Sequence, residues 1–283
     1  MAQYTKTLAN DFNGIQRTLA NVLGTGSSTK GYGSTVNSFT VSTGSNISSA
    51  EFTALATDIN ACYRHITNAD ATTLASVVSK GKITWANFVT YQAAVTYINN
   101  NSDTNGGTNS SPSDSTTLPS GWGNASGNRI ATQTGTITFA SAEAMRFFFN
   151  QGNRITMTGS SSYAGADPKT LSFANLANGI GITMNASTYR GGAAANATYY
   201  GTTNPYGYVP PAVRNDYIAV TISPPSGNTM AISIICNDKG QDSVIASNCD
   251  TDLVFSVGRV VSNTTGISAY NPSVSFGAWA YEA

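Results

Sequence analysis

Charged side chains are scarce in this sequence of 283 residues. Asp, Glu, Lys and Arg together make up 10% of it, whereas an average soluble protein has about 25%. Basic and acidic residues number 14 each, and no run of basic residues occurs. Binding the phosphates of a nucleic acid requires a basic surface, so the composition argues against direct nucleic-acid binding. The abundant Ser, Thr, Asn and Gly suit hydrogen-bonded contact surfaces better than a catalytic cleft.

Histidine, cysteine and long apolar runs are scarce as well. His65 is the only histidine, which excludes a metal site built from several histidines of this chain. The cysteines have no CxxC spacing, so we expect buried thiols, with a bridge between Cys236 and Cys249 left open. No segment approaches about 18 consecutive apolar residues, and the first residues do not resemble a signal peptide. We therefore expect a protein made in the cytoplasm, without a membrane span or a cofactor.

The first hundred residues carry apolar stripes at helical spacing. The first stripe consists of Leu8, Phe12, Ile15 and Leu19. A second helix is predicted after Ser48, which forms a capping-box pattern with Glu51. A third begins near Thr84, and its predicted inner face is Trp85, Phe88, Tyr91, Val95 and Ile98. These patterns predict a helical bundle over residues 1–100.

The pattern changes after this region. Residues 101–122 are almost wholly Asn, Ser, Thr, Asp, Gly and Pro, a composition that predicts a polar linker. Beyond it, apolar and polar residues alternate as they do in strands. Such runs occupy residues 135–139, 154–157, 217–222, 230–235, 253–257 and 274–279. Residues 224–228 read Pro-Pro-Ser-Gly-Asn and predict a hairpin turn.

A short helical pattern over residues 141–150 interrupts these strands. The predicted fold class is therefore α+β. A helical module, residues 1–100, is followed by a linker, residues 101–122, and by an antiparallel β-sandwich, residues 123–283, with a short inserted helix.

Several landmarks of the chain occur together in one known family. They are Val22-Leu23-Gly24-Thr25-Gly26, Gly31-Tyr32-Gly33, Leu55-Ala56-Thr57-Asp58-Ile59, Tyr63-Arg64-His65, Gly135-Thr136-Ile137-Thr138-Phe139 and Ala144-Met145-Arg146-Phe147-Phe148-Phe149-Asn150-Gln151-Gly152. In these stretches, which end before about residue 158, the chain resembles the tail-fibre-like virion structural proteins of contractile-tailed phages that infect marine cyanobacteria. The resemblance implies a structural role and carries no catalytic residues.

Candidate catalytic residues have simpler structural explanations. His65 lies beside the stripe of the second helix, so we expect a hydrogen-bonded structural histidine, with Asp58 two turns earlier in a network on the helix surface. Capping and the helix dipole explain the three glutamates, Glu51, Glu143 and Glu282, at helix starts or near the end of the sequence. We therefore predict that the chain is not an enzyme.

Four aspartates in one predicted loop are the candidate metal ligands. They are Asp238, Asp242, Asp250 and Asp252. Their oxygens could suit Ca²⁺, but we favour solvated turn residues and predict no metal site.

Tyrosines of one Gly-, Ala-, Asn- and Pro-rich stretch are the candidate contact residues. They are Tyr189, Tyr199, Tyr200, Tyr206 and Tyr208. Contact with another subunit, packing within their own domain and contact with a glycan are the three interpretations, in that order of preference.

The resulting hypothesis is a non-enzymatic protein of the virion, in its tail, neck or baseplate. The stripe of Leu8, Phe12, Ile15 and Leu19 would form the anchoring face, and the β module would project from it. The expected partners are other copies of the chain and other virion proteins. The alternative is a carbohydrate-binding module at a tail-fibre tip, whose partner is a host surface glycan.

Overall fold

The structure is a computed structural model that forms two compact units, neither of them contiguous in sequence. It describes residues 2–71, 74, 84–106, 108–123, 129–165, 167–200, 216–238, 248–262 and 265–282. Unit 1 consists of Met1–Asn109, Glu143–Asn153 and Val260–Asn271, and unit 2 of Ser110–Ala142, Arg154–Arg259 and Pro272–Ala283. The chain therefore passes between the units five times, whereas we expected consecutive modules joined by one linker.

Three helices from the described part of residues 2–100 belong to unit 1. They are α1 (Ala2–Leu23), α2 (Ser49–Thr67) and α3 (Trp85–Asn100). The predicted capping box of Ser48 and Glu51 begins α2, which ends at Asn68 in the left-handed conformation. All three predicted helices are confirmed.

The ring of Phe52 lies at the centre of the unit 1 core. Its centroid is 5.3 Å from that of Phe12 on α1, and 5.3 Å and 5.4 Å from those of Phe88 and Tyr91 on α3, all in edge-to-face geometry. Burial of each such ring stabilises the fold by about 1.5–3 kcal/mol, and edge-to-face pairing contributes further. The helical periodicity thus brings the three helices onto one core.

Two antiparallel sheets make up most of unit 2. Their strands are β1 (Thr108–Leu118), β2 (Arg129–Thr138), β3 (Arg154–Ser160), β4 (Gly181–Met184), β5 (Ala195–Tyr200), β6 (Tyr217–Ile222), β7 (Thr229–Asp238), β8 (Leu253–Ser262), β9 (Ser273–Phe276) and β10 (Ala280–Glu282). One sheet has the order β1-β8-β3-β4, and the other has the order β10-β2-β7-β6-β5 with β9 also paired to β2. The predicted α+β class, with helices first and antiparallel sheets later in the chain, is confirmed.

Alternate residues of the strands are buried, as the alternation in the sequence predicts. Ile218, Val220 and Ile222 of β6 are buried, and so is every second residue of β7 from Met230 onward. The predicted hairpin joins these two strands, with a bridge between Ser226 and Thr229. The ring of Phe255 on β8 lies 5.8 Å from that of Trp279, which connects β9 to β10, so side chains of the two sheets meet.

Three further helices lie among the strands in the described part of the chain. They are α4 (Ala142–Asn150), α5 (Pro168–Asn178) and α6 (Ala186–Arg190). The short inserted helix that we predicted is α4, and from Glu143 onward it belongs to unit 1. Helix α5 contacts both β3 and β6. Asp167 caps its first turn by accepting a hydrogen bond from the Thr170 N–H at 2.7 Å.

The stretch that we expected to be a linker contains β1. Residues 108–118 lie beside β8 at the end of their sheet, where backbone pairing requires no apolar side chains. Pro112, which lacks an N–H group, is compatible with a strand in an end position.

Candidate functional site

The loop that follows α1, residues 24–41 and hereafter the glycine loop, is held by a buried carboxylate. Asp58 is fully buried and accepts hydrogen bonds from the Asn37 backbone at 3.0 Å, the Asn37 side chain at 2.8 Å and the Ser38 backbone at 2.7 Å. We expected Asp58 in a network on the helix surface, and that expectation was wrong. A buried carboxylate requires several donors, and the loop supplies them.

Side chains from α1 hold the far end of the same loop. The Asn13 amide donates to the Val41 carbonyl at 2.8 Å and accepts from the Val41 N–H at 2.7 Å. The Gln16 amide donates to the Ser38 carbonyl at 2.9 Å. These bonds satisfy backbone groups of a loop that forms no sheet or helix of its own.

Helix α4 and the residue after it hold the near end of the glycine loop. Arg146 donates to the carbonyls of Lys30 and Thr25, each at 2.7 Å. The Gln151 amide donates to the carbonyls of Tyr32 and Ser268, each at 2.9 Å. The Ala144–Gly152 motif is therefore an arrangement of donors that face backbone carbonyls of unit 1.

Gly33 allows the loop to approach its neighbours closely. Its φ is +66°, and a Cβ atom at this position would overlap the ring of Phe147 and the hydroxyl of Tyr270. The Tyr270 hydroxyl donates to the Gly33 carbonyl, and the rings of Tyr270 and Phe147 lie 5.2 Å apart. Only glycine satisfies both the conformation and the space.

His65 is buried against the glycine loop. Its Nε2–H donates to the Gln151 carbonyl at 2.8 Å, and its ring centroid lies 4.8 Å from that of Tyr32. Burial lowers the pKa of His65 to about 4, and the hydrogen bond to Gln151 opposes this shift only in part. The histidine is therefore neutral at pH 7, and the prediction that it is hydrogen-bonded is confirmed.

The motifs that carry the family resemblance thus meet in unit 1. Asp58 and His65 on α2 lie far in the sequence from Arg146 and Gln151, and each of the four bonds to a backbone group. Apart from the stretch 135–139, which forms the end of β2 and the residue after it, these motifs form the glycine loop and its supports. This arrangement can fix a backbone shape, and it offers no paired nucleophile and base among the residues named.

Unit 2 contains a buried ion pair that the sequence analysis missed. The Lys169 ammonium on α5 lies 2.6 Å from Oδ2 of Asp238 at the end of β7, and both side chains are fully buried. Asp238 lies at an inward-facing position in the alternation of β7, and this alternation could have predicted that it is buried. Each charge offsets the cost of burying the other.

Two of the other candidate metal ligands, Asp250 and Asp252, are exposed, unlike this buried pair. Asp252 accepts a hydrogen bond from the Ser120 N–H at 2.8 Å. Asp242 lies outside the described residues. In the part of the chain that the structure describes, no group of three His, Cys, Asp or Glu residues could hold a metal ion. For Asp238, the expectation of a solvated turn residue was wrong.

The three cysteines are buried thiols, and Cys236 is not bridged to Cys249. Burial raises the pKa of Cys249 to about 12 and raises that of Cys236 as well. Both thiols are therefore protonated at pH 7 and serve as small apolar groups in the core.

The three candidate tyrosines that the structure describes differ in their exposure. The Tyr199 hydroxyl accepts a hydrogen bond from the Gly181 N–H at 2.9 Å, which agrees with packing within its own unit. Tyr189 is half-buried, whereas Tyr200 is 56% exposed on β5, the end strand of its sheet. Tyr206 and Tyr208 lie outside the described residues.

Of the expected anchoring face of α1, the three side chains that the structure describes are not available to a partner. Phe12, Ile15 and Leu19 are buried in the unit 1 core. The side chain of Leu8 lies outside the described part of the structure. The described part of the stripe that we expected to be an anchor is instead an internal packing face, as amphipathic helices in bundles normally have.

An exposed apolar surface lies on α3 instead. Of the six large hydrophobic side chains that are exposed in the described part, three lie on this helix: Trp85 at 61%, Val89 at 48% and Tyr97 at 40%. We expected Trp85 on the inner face of the helix, and that expectation was wrong. A cavity of about 250 Å³ beside Trp85, between α1 and α3, is lined also by Asp11 and Gln92.

In comparisons with known proteins, no family model, no curated protein and no solved structure matches this chain. Among the described residues, no helix is both long enough and apolar enough to cross a membrane.

Proposed function

We propose that this chain is a non-enzymatic structural protein of a phage virion, of the tail-fibre-like class that its sequence resembles. The observation that carries the proposal is the role of the shared motifs. Asp58, Arg146 and Gln151 hold backbone groups of the glycine loop, so the shared residues build a shape. Because the shared motifs determine the shape of the protein, they support a role in assembly.

The surface chemistry supports the same proposal. A sequence with 10% charged residues has few groups that repel a neighbouring subunit. Exposed aromatic side chains, among them Trp85 on α3 and Tyr200 on β5, are typical of protein contacts. The tail, neck and baseplate are the proposed positions, and self-association in a symmetric ring or fibre is expected.

Carbohydrate-binding host recognition is the second candidate, and the exposure of Tyr200 favours it. An exposed tyrosine ring offers an apolar face on which a sugar ring can stack. This reading places function in unit 2 and predicts that the particle assembles without the protein.

Deletion of the gene from the phage, with complementation from a plasmid, tests these proposals. The structural role predicts incomplete tails or necks in electron micrographs, restored by the complementing gene. Intact particles that fail to adsorb would overturn the structural role and favour glycan recognition. Intact particles that adsorb and infect normally would overturn both.

A further inference from the structure

Helix α3 presents an exposed ridge with a regular period. Trp85, Val89, Ala93 and Tyr97 are spaced four residues apart, and all four are exposed. Residues at this spacing form one continuous ridge on a helix surface. We call these four residues the α3 ridge.

The opposite face of α3 is already occupied. Phe88, Tyr91, Val95 and Ile98 are buried in the unit 1 core. The ridge is therefore a second apolar face, and a helix that is apolar on two sides normally has neighbours on both. Tryptophan and tyrosine are also the side chains that contribute most to protein interfaces.

We propose that the α3 ridge is a self-association surface, on which α3 of a second copy of this chain packs antiparallel about a twofold axis. This inference rests on the proposed role in assembly and names the partner. Three properties of α3 identify that partner as a second copy.

The first property is the absence of charge. None of the 16 residues of α3 is Asp, Glu, Lys or Arg. In a twofold interface, a charged residue near the axis meets the same residue of the second copy, and such like-charge contacts are unfavourable. A neutral helix meets its own copy without this penalty.

The second property is the symmetry of the ridge. Positions 85 and 97, and positions 89 and 93, are each centred on residue 91. A twofold axis near residue 91 therefore pairs Trp85 with Tyr97 of the second copy, and Val89 with Ala93 of the second copy. The small residues lie at the centre, where two crossing helices approach most closely, and the large rings lie at the ends.

The third property is the shape of the surface beside the ridge. When ridges with a spacing of four interdigitate, the two helices cross at about −50°. The ends of each ridge then lie above the groove beside the ridge of the other copy. The cavity lined by Trp85, Asp11 and Gln92 is such a groove. Oδ2 of Asp11 is buried there without a hydrogen-bond partner among the described residues. A side chain from the second copy can fill this space.

The size of the ridge sets the expected strength of the pairing. At ~1.5 Å per residue, α3 is about 24 Å long. One helix face is smaller than the ~800 Å² per partner of a standard interface. We therefore expect dissociation constants of roughly micromolar size for the isolated pair, which a symmetric assembly strengthens by multivalency.

Disulfide trapping on the full-length chain tests the predicted register. Full-length Val89→Cys and Ala93→Cys variants, mixed and mildly oxidised, should form mixed dimers faster than either variant alone. Phe39→Cys is the matched control, because Phe39 is also exposed, at 58%, in unit 1 but belongs to the glycine loop and not to α3. The native cysteines are buried, so the unsubstituted chain should give no cross-linked dimer.

Sedimentation of the full-length chain provides the second test. The unsubstituted protein should associate at concentrations above micromolar, and Val89→Glu should shift it to monomer with its thermal unfolding midpoint unchanged. A monomer at all concentrations, or cross-linking of Phe39→Cys as fast as the mixed pair, would overturn the proposal. A chain that pairs in this way but is absent from virions would leave the pairing intact and overturn the virion role.

Discussion

Acidification should destabilise the protein through His65. The folded state holds the pKa of this histidine at about 4, against 6.5 for the free side chain. Between these two values the unfolded chain binds a proton that the folded chain excludes. The contribution of His65 is therefore fully present above pH 6.5 and is lost as the pH falls from 6.5 towards about 4.

The magnitude follows from the size of the shift. A difference of about 2.5 pKa units corresponds to about 3 kcal/mol at ~1.4 kcal/mol per unit. Most of this, about 2–3 kcal/mol, should be lost between about pH 7.5 and about pH 4.5. The loss is a large fraction of the ~5–15 kcal/mol that stabilises a typical domain.

The assay compares His65 with a side chain that does not titrate. Glutamine at this position retains an N–H donor for the Gln151 carbonyl but has no ionisable group. Urea unfolding, followed by circular dichroism at both pH values, should show a larger loss of stability in the unsubstituted protein than in His65→Gln. Equal losses in both proteins would refute the assignment of His65 as a buried, neutral donor.

Three further predictions concern interactions within each of the two units. Gly33→Ala should lower the free energy of unfolding by about 2–4 kcal/mol, because the penalty of a positive φ and the steric overlap add. Gly44→Ala should lower it by only about 1–2 kcal/mol, because Gly44 has a positive φ but open space around it. Asp238→Asn should lower the stability of the fold by about 3–5 kcal/mol because it removes the charged partner that lies 2.6 Å from the buried ammonium of Lys169. Asp70→Asn, at an exposed pair, should leave stability unchanged. A fragment of residues 1–100 should not fold cooperatively, because two of the three segments of unit 1 are missing from it.

Chemical denaturation of the four variants and circular dichroism of the fragment provide the measurements. Equal costs at Gly33 and Gly44 would contradict the steric overlap. If Asp70→Asn lowered stability as much as Asp238→Asn, the buried pair would be no more important than the exposed one, and the reasoning would be wrong. A fragment with a sharp thermal transition and native helix content would show that unit 1 does not require its later segments.

Local patterns in the sequence were sufficient to predict the elements with strong periodicity. The capping box at Ser48, the stripe that includes Phe12 and the alternation in β6 each depend on neighbouring residues only. Helix α5 could also have been predicted, because Asp167 followed by Pro168 and, later, by Gly179 is a helix start and stop. The helix was not predicted because its apolar residues form only a weak stripe.

Other features depend on contacts between distant parts of the chain. Asp58 meets Asn37 across 21 residues, and Arg146 meets Lys30 across 116 residues. No local period encodes such pairs, so the sequence could not show that the shared motifs form one network. The exposure of Trp85 was missed because it lies in the first turn of α3, where its spacing from Phe88 also fits the buried stripe.

The central claim is that the protein functions as a structural component of a phage particle. Quantitative mass spectrometry of particles purified by density gradient, and washed at high salt, tests it most directly. The account predicts that the chain is retained in a fixed ratio to the other structural proteins, at a copy number that matches a symmetric ring or fibre. If the chain is abundant in the infected lysate but absent from the washed particles, the claim is contradicted.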